Sequence, residues 1–149
     1  MEPLKALILT ECDRLKHGIP CDFVGVALQN RNNPDITWPY AIGNRNDKHK
    51  YITVRYGKGI AGKVISSGTP MEITDFPETI LGKITDYPIM LAEKLVAAYS
   101  VPLVWNDLPK GALLIGYRHA RKFDEQEKQN LREVAQHLES FLSSHFTDE

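Results

Sequence analysis

Four glycines punctuate the run Gly57-Lys58-Gly59-Ile60-Ala61-Gly62-Lys63-Val64-Ile65-Ser66-Ser67-Gly68, which follows an alternating, strand-like stretch and opens a helix-like one. Glycine permits positive φ and a close approach of bare backbone. A helix start adds unpaired N–H groups and the positive end of its dipole. The chemistry predicted for such a turn is the capture of a small anion. The spacing matches neither the phosphate loop, with its Gly-Lys-Ser/Thr ending, nor the dinucleotide fingerprint. A second helix start is predicted at Thr85-Asp86-Tyr87-Pro88-Ile89, because proline suits the first helical position and Asp or Thr the cap.

Other constellations carry less chemistry. His17, His49, His119, His137 and His145 include no close pair at metal-ligand spacing, and no cysteine cluster joins them. Cys12 falls on the apolar face of the first helix and Cys21 lies beyond a Gly-Ile-Pro turn. Both read as small buried hydrophobes rather than as a disulfide. In Arg121-Lys122-Phe123-Asp124-Glu125, Asp124 reads as the cap of the final helix, with Glu127 three residues on.

The elements that must position these residues follow from periodicity. Leu4, Leu7, Ile8, Cys12 and Leu15 predict a helix over residues 3–17, stopped by Gly18 and Pro20. Phe23 to Leu28 and Ile36 to Ile42 read as two strands joined through the turn formers Asn30 to Pro34. Tyr51 to Tyr56 alternates as a third strand that leads into the glycine segment, with a helix starting near Ile60 and ending by Gly68. Met71 to Thr74 reads as a short strand before an irregular stretch from Asp75 to Tyr87, after which Met90 to Leu95 continues a helix. Val96 to Trp105 and Gly111 to Arg118 predict a hairpin across Asn106-Asp107-Leu108-Pro109-Lys110. The last helix carries Leu131, Val134, Leu138, Phe141 and Leu142 along one face. The order is an α+β plan: a mostly antiparallel sheet with the terminal helices on one face and a cavity under the irregular lobe on the other.

The chain has 149 residues, 42% of them hydrophobic, which fits one domain over residues 1–149. Lys plus Arg number 18 against 19 Asp plus Glu, so no basic field favours nucleic acid or an acidic membrane surface. No run reaches the roughly 18 apolar residues of a membrane span, and Met1-Glu2-Pro3 lacks the layout of a secretion signal. A cytoplasmic protein is expected.

Phe23-Val24-Gly25-Val26-Ala27-Leu28, Gly57 to Gly62, Val101-Pro102-Leu103 with Gly111-Ala112-Leu113, and Phe123-Asp124 together resemble a GAF domain over nearly the whole chain. Ile36-Thr37-Trp38-Pro39-Tyr40, Lys58 to Gly62 and Thr85 to Met90 are similar more specifically to the GAF-domain nitrate receptors. These work with an oxygen-responsive sensor histidine kinase in bacterial nitrate respiration. That resemblance implies nitrate held between two helix starts and a tryptophan, which here means Trp38, Ile60, Ala61, Tyr87 and Ile89. It implies no cofactor, no catalytic residue and a sensor rather than an enzyme. The nitrate-free form is expected to restrain kinase phosphorylation and the bound form to release it.

Nitrate is flat, singly charged and a modest acceptor, so in-plane N–H donors suit it better than a bulky hydrated cation. Ile60, Ala61 and Ile89 are the expected backbone donors, since Pro88 has no N–H. Trp38 is expected to wall the pocket, and Tyr87 to complete its rim. Lys58 and Lys63 are expected outside the contact shell.

Two other functions fit a GAF domain. The free methionine-(R)-sulfoxide reductases need cysteine thiolates in the pocket, whereas here Ala61 stands where their glycine segment carries cysteine and no cysteine follows Cys21. The other is a ligand-free interaction module that docks a kinase or a second copy of the chain, for example through exposed apolar stripes on the terminal helices.

Overall fold

The computed structural model describes residues 2–146, with side chains from Pro3 onward. Helix α1 covers Glu2–Gly18, followed by strands β1 (Phe23–Gln29) and β2 (Asp35–Ile42). A 3-10 turn at Lys48–Tyr51 precedes β3 (Thr53–Arg55), α2 (Gly59–Ser67) and β4 (Met71–Ile73). After a second 3-10 turn at Ile84–Asp86 come α3 (Pro88–Ala92), β5 (Ala97–Trp105), β6 (Leu108–Tyr117) and α4 (Glu125–His145). The six strands form one antiparallel sheet in the order β3-β2-β1-β6-β5-β4. The expected α+β architecture is the observed one.

Alternation along the strands sends side chains to two separate cores. Val24 and Val26 of β1 face α1 and α4, together with Ile8, Leu15, Leu131, Val134 and Leu138. Phe23 and Ala27 face the other way, toward α2 and α3, with Trp38, Ile60, Val64, Tyr87, Ile89 and Leu114. The terminal helices therefore share one face and the site-bearing helices the other. The apolar stripes of α1 and α4 are spent on the core. Leu7, counted above in the apolar spacing of α1, lies off that face and is exposed. Among the described residues no helix is long and apolar enough to cross a membrane.

Three element boundaries differ from the periodicity. The third strand is only three residues long, because His49 turns inward and is buried while Tyr51 swings out into solvent. The β5–β6 connection is a two-residue turn, Asn106-Asp107, with φ +55° and +67°, and not the five-residue loop expected. This left-handed pair suits the twist of a hairpin, and a register shift at Leu103/Val104 accommodates the longer β6. Helix α3 ends at Ala92 rather than Leu95, since Lys94 turns left-handed at φ +54° and the Leu95 amide donates back to the Met90 carbonyl at 2.9 Å.

Candidate functional site

Pro39 in an interior strand removes a ladder donor, and the chain meets this with a bulge. Val26 pairs with Tyr40 and Leu28 with Thr37, which leaves Trp38 and Pro39 where the register shifts. On its other edge β2 pairs with β3 only through Asp35, Ile36 and Thr37. Trp38 thus loses strand partners just where its indole packs under α2 and α3. Its carbonyl is satisfied instead by the buried His49, whose Nδ1 lies 2.8 Å away and donates to it. Gly25 supplies the room, since a Cβ there would stand 3.1 Å from the Trp38 ring and 2.7 Å from that of Phe23.

The glycine segment closes on itself before it opens the helix. The Gly57 amide donates to the Gly62 carbonyl at 3.0 Å and the Lys58 amide to the Arg55 carbonyl at 2.9 Å. Gly59 holds φ +66°, a left-handed conformation that a side chain would strain. Its Cα also faces the Asp86 carbonyl, which a Cβ would approach to 2.9 Å. This contact joins the start of α2 to the 3-10 turn that leads into α3. Gly62 has a purely packing role, because a Cβ there would meet the Arg55 carbonyl at 2.6 Å.

On the facing side Tyr87 is the residue before α3. Its carbonyl accepts from the Met90 and Leu91 amides, and its hydroxyl donates to the Leu81 carbonyl at 2.8 Å. The ring meets Phe76 edge to face, with centroids 6.0 Å apart. Burial, with Asp86 alongside, pushes the phenol above its usual pKa. The Tyr87 hydroxyl is thus committed to Leu81.

These pieces converge. Trp38, Ile60, Ala61, Tyr87 and Ile89 all line one small cavity, together with Val54, Gly59 and Pro88. The five anticipated residues are each no more than 2% exposed. Neither Lys58 at the α2 start nor Tyr87 at the α3 start provides a side-chain cap. Among the described residues the amides of Ile60, Ala61 and Ile89 have no acceptor, so one cavity is lined by three residues with unpaired backbone donors and by no charged side chain. The walls leave nowhere between them the width of a water molecule. Admission of even a planar ion requires the two helix starts to part.

The far end of α3 is pinned by a buried charge network that periodicity does not reveal. Glu93 is fully buried, and its Oε1 accepts from the Arg45 amide at 2.8 Å and from Arg118 Nη2 at 2.9 Å. Arg118 Nε also donates to the Glu93 carbonyl at 2.8 Å. His49, Gly25, Glu93 and Arg118 are therefore supporting residues that the sequence reading did not single out. The signals available were weak: a lone histidine, a glycine inside a strand, and one charge interrupting an apolar stretch.

Both cysteines lie away from this cavity, in the core beneath α1 and α4. Burial pushes the Cys12 thiol up to about 12 and the Cys21 thiol to about 11, so neither is a thiolate near neutral pH. No group of three or more His, Cys, Asp or Glu side chains among the described residues could hold a metal ion.

A family model described as GAF domain matches residues 3–142. Among solved structures the chain is similar to a NreA protein from Staphylococcus aureus mutated in its nitrate binding site. Identity is 31%, with 87% of this chain and 96% of that one covered and a TM-score of 0.76. A second structure of mutated NreA from the same organism is 33% identical, covers 81% and 95%, and has a TM-score of 0.70. A free methionine-R-sulfoxide reductase from Neisseria meningitidis shares the fold at 20% identity, with 94% and 78% covered and a TM-score of 0.77. No curated protein matches the chain.

Proposed function

We propose, for a chain that belongs to the GAF domain family, that it is a cytoplasmic nitrate sensor that modulates a partner sensor histidine kinase. The observation that carries this reading is that three residues with acceptor-less amides, Ile60, Ala61 and Ile89, line one cavity together with Trp38 and Tyr87. The similarity to proteins with a nitrate binding site supports the choice of anion.

The donor set suits a weakly hydrated monovalent anion. With no cation in the lining, the ion is held by hydrogen bonds and the dipole of α2 alone, and a multiply charged ion would lose more hydration than these donors return. A charged hydrogen bond contributes about 1.5–3 kcal/mol net and a partly buried helix end up to about 2 kcal/mol. Against these stands the cost of parting the α2 and α3 starts. A small positive balance suits a reversible sensor, since about 4 kcal/mol already corresponds to a Kd of about 1 mM.

Opening of the cavity also supplies the signal. A ligand shifts a two-state equilibrium only through unequal affinity for the states, and a cavity too narrow for the ion when closed gives that inequality. Movement of Tyr87 carries with it Leu81, through the hydroxyl bond, and Ile84, whose carbonyl accepts from the Tyr87 amide at 3.0 Å. Leu81, Ile84 and Leu91 are exposed apolar residues of this lobe and form part of the surface the kinase reads. The nitrate-free form restrains kinase phosphorylation and the bound form releases it.

The reductase reading is less favoured, because both thiols are buried, neutral and on the wrong face of the sheet. Calorimetric titration with nitrate tests the reading. Saturable heat is expected for the native chain, and kinase autophosphorylation reconstituted with it should rise on nitrate addition. Absence of heat at millimolar nitrate would favour the ligand-free module. Turnover of methionine sulfoxide abolished by Cys21→Ser would favour the enzyme.

A further inference from the structure

We infer that Glu93 is a positioning residue for the cavity. Clamped by Arg118 and Arg45, it fixes the rear of α3, so that the cavity opens by a swing of the α3 start about Glu93. The clamp thereby sets how tightly an anion is held. Of the two helices that line the cavity, α3 is the one placed to move. Helix α2 buries Gly59, Ile60, Ala61, Gly62, Val64 and Ile65, and Gly62 is seated against the Arg55 carbonyl. Helix α3 has five residues, of which Ile89 and Met90 are buried while Leu91 is exposed. The element with less buried surface gives way first.

Two arginines hold the rear of α3. Arg45 Nη1 donates to the Ala92 carbonyl at 2.9 Å and Arg118 Nε to the Glu93 carbonyl at 2.8 Å, so cations satisfy carbonyls at the helix end. The Arg45 amide and Arg118 Nη2 converge on Glu93 Oε1 at 2.8 and 2.9 Å. Arg118 is itself anchored beside two strand ends, its amide donating to Asp22 Oδ2 at 2.7 Å and its Nη2 to the Gly43 carbonyl at 3.3 Å. The Glu93 carboxylate is fully buried, and its Oε2 has no partner among the described residues. A buried ion pair with an unsatisfied oxygen returns little stability for its desolvation. Its use lies in placement: the Glu93 amide donates to the Ile89 carbonyl at 3.1 Å, one helical turn from the clamp to the cavity lining.

The front of α3 has no charged clamp. No side chain caps its start. Tyr87 is bonded through its hydroxyl to Leu81 and through its amide to Ile84, both exposed residues of the same lobe. At a rise of about 1.5 Å per residue Tyr87 lies about 9 Å from Glu93, so a gap of roughly 3 Å, one water diameter, takes a swing of about 20°. The buried Met90 lies nearer the pivot and moves about half as far as Tyr87.

Hydrogen exchange of the labelled, ligand-free chain reads the opening at the Ile60, Ala61 and Ile89 amides, which belong to buried residues and lack acceptors among the described residues. Glu93→Gln keeps the size of the side chain and removes the ion pair. It should speed exchange there at least about fivefold, with the capped Glu127 amide unchanged. A second measurement, nitrate titration by NMR with line-shape analysis, rests on the nitrate reading above. In the native chain nitrate should shift the Tyr87 amide and leave the Arg45 amide and the Arg118 Nε–H unmoved. Glu93→Gln should bind nitrate at least about fivefold more weakly, through faster dissociation. Arg118→Lys, which keeps the charge, should bind more tightly than Arg118→Gln. Thermal unfolding checks folding, and Arg45→Ala, which removes the bond to the Ala92 carbonyl, should act in the same sense as Glu93→Gln. The inference is overturned if exchange in the folded variants is unchanged or rises equally at Glu127, if the variants bind nitrate with native affinity, or if the Arg45 and Arg118 signals shift as far as that of Tyr87. A native chain that binds no nitrate would refute the nitrate reading alone, and the exchange result would still decide whether Glu93 is the pivot.

Discussion

Asp124 and Glu127 close the start of α4 with reciprocal hydrogen bonds, the Glu127 amide to Asp124 Oδ1 at 2.8 Å and the Asp124 amide to Glu127 Oε1 at 3.0 Å. Arg121 at 2.7 Å and the Tyr117 hydroxyl at 2.8 Å complete the Glu127 carboxylate. Lys58 and Tyr87 bring no acceptor to the starts of α2 and α3. A helix start left open in a buried place forgoes roughly 0.5–2 kcal/mol that a capping side chain would supply. The two regions show where the chain gave up local stability. Donors are satisfied where only folding is served and unsatisfied where two helix starts converge on a cavity.

The contrast yields graded predictions. Trp38→Ala removes the wall of the open region and should cost about 3–5 kcal/mol in chemical denaturation while abolishing nitrate binding in whatever fraction stays folded. A folded Trp38→Ala chain with native affinity would remove Trp38 from the site. Lys58→Asp gives α2 the acceptor that α4 already has. It should raise stability by about 0.5–2 kcal/mol and weaken nitrate at least about tenfold in calorimetry, because the new carboxylate takes an amide and repels the anion. Loss of stability, or unchanged affinity, would show that the α2 start is not an open donor set. Asp124→Ala is the mirror experiment. It should cost about 1 kcal/mol in thermal unfolding and leave nitrate affinity unaltered.

The smallest effect concerns pH. Burial, then the bond to Glu127, pushes the Tyr117 phenol well above its usual range. The unfolded chain therefore loses this proton first, near pH 10, and stability must fall as pH rises from there toward the higher folded value. Tyr117→Phe should flatten that alkaline slope in pH-dependent denaturation. An unchanged slope would mean that Tyr117 does not contribute to it.

Much of this contrast was legible from residue types. The capping box of α4 is a local pattern, and Asp124 with Glu127 three residues on identifies it. The glycine segment and Tyr87-Pro88-Ile89 likewise mark helix starts, and the resemblance to nitrate receptors pairs them. The bulge at Trp38–Pro39 was not legible, because it depends on which strands flank β2 and on the point where β3 stops. His49 gave no local sign of its bond to the Trp38 carbonyl, eleven residues away in sequence. Glu93 and Arg118 become partners only once β6 lies beside β1 and α3 folds over its end. Periodicity overextended α3 to Leu95 because Leu95 is buried like a helical residue but reaches the core after a left-handed turn.

The central claim is that the amides of Ile60, Ala61 and Ile89 hold a nitrate ion. Amide NMR of the labelled chain during a nitrate titration tests it most directly. Saturable shifts at those three amides and at the Trp38 indole, with the capped Glu127 amide unmoved, are the predicted result. Shifts absent from all three, or spread equally over the start of α4, would contradict it.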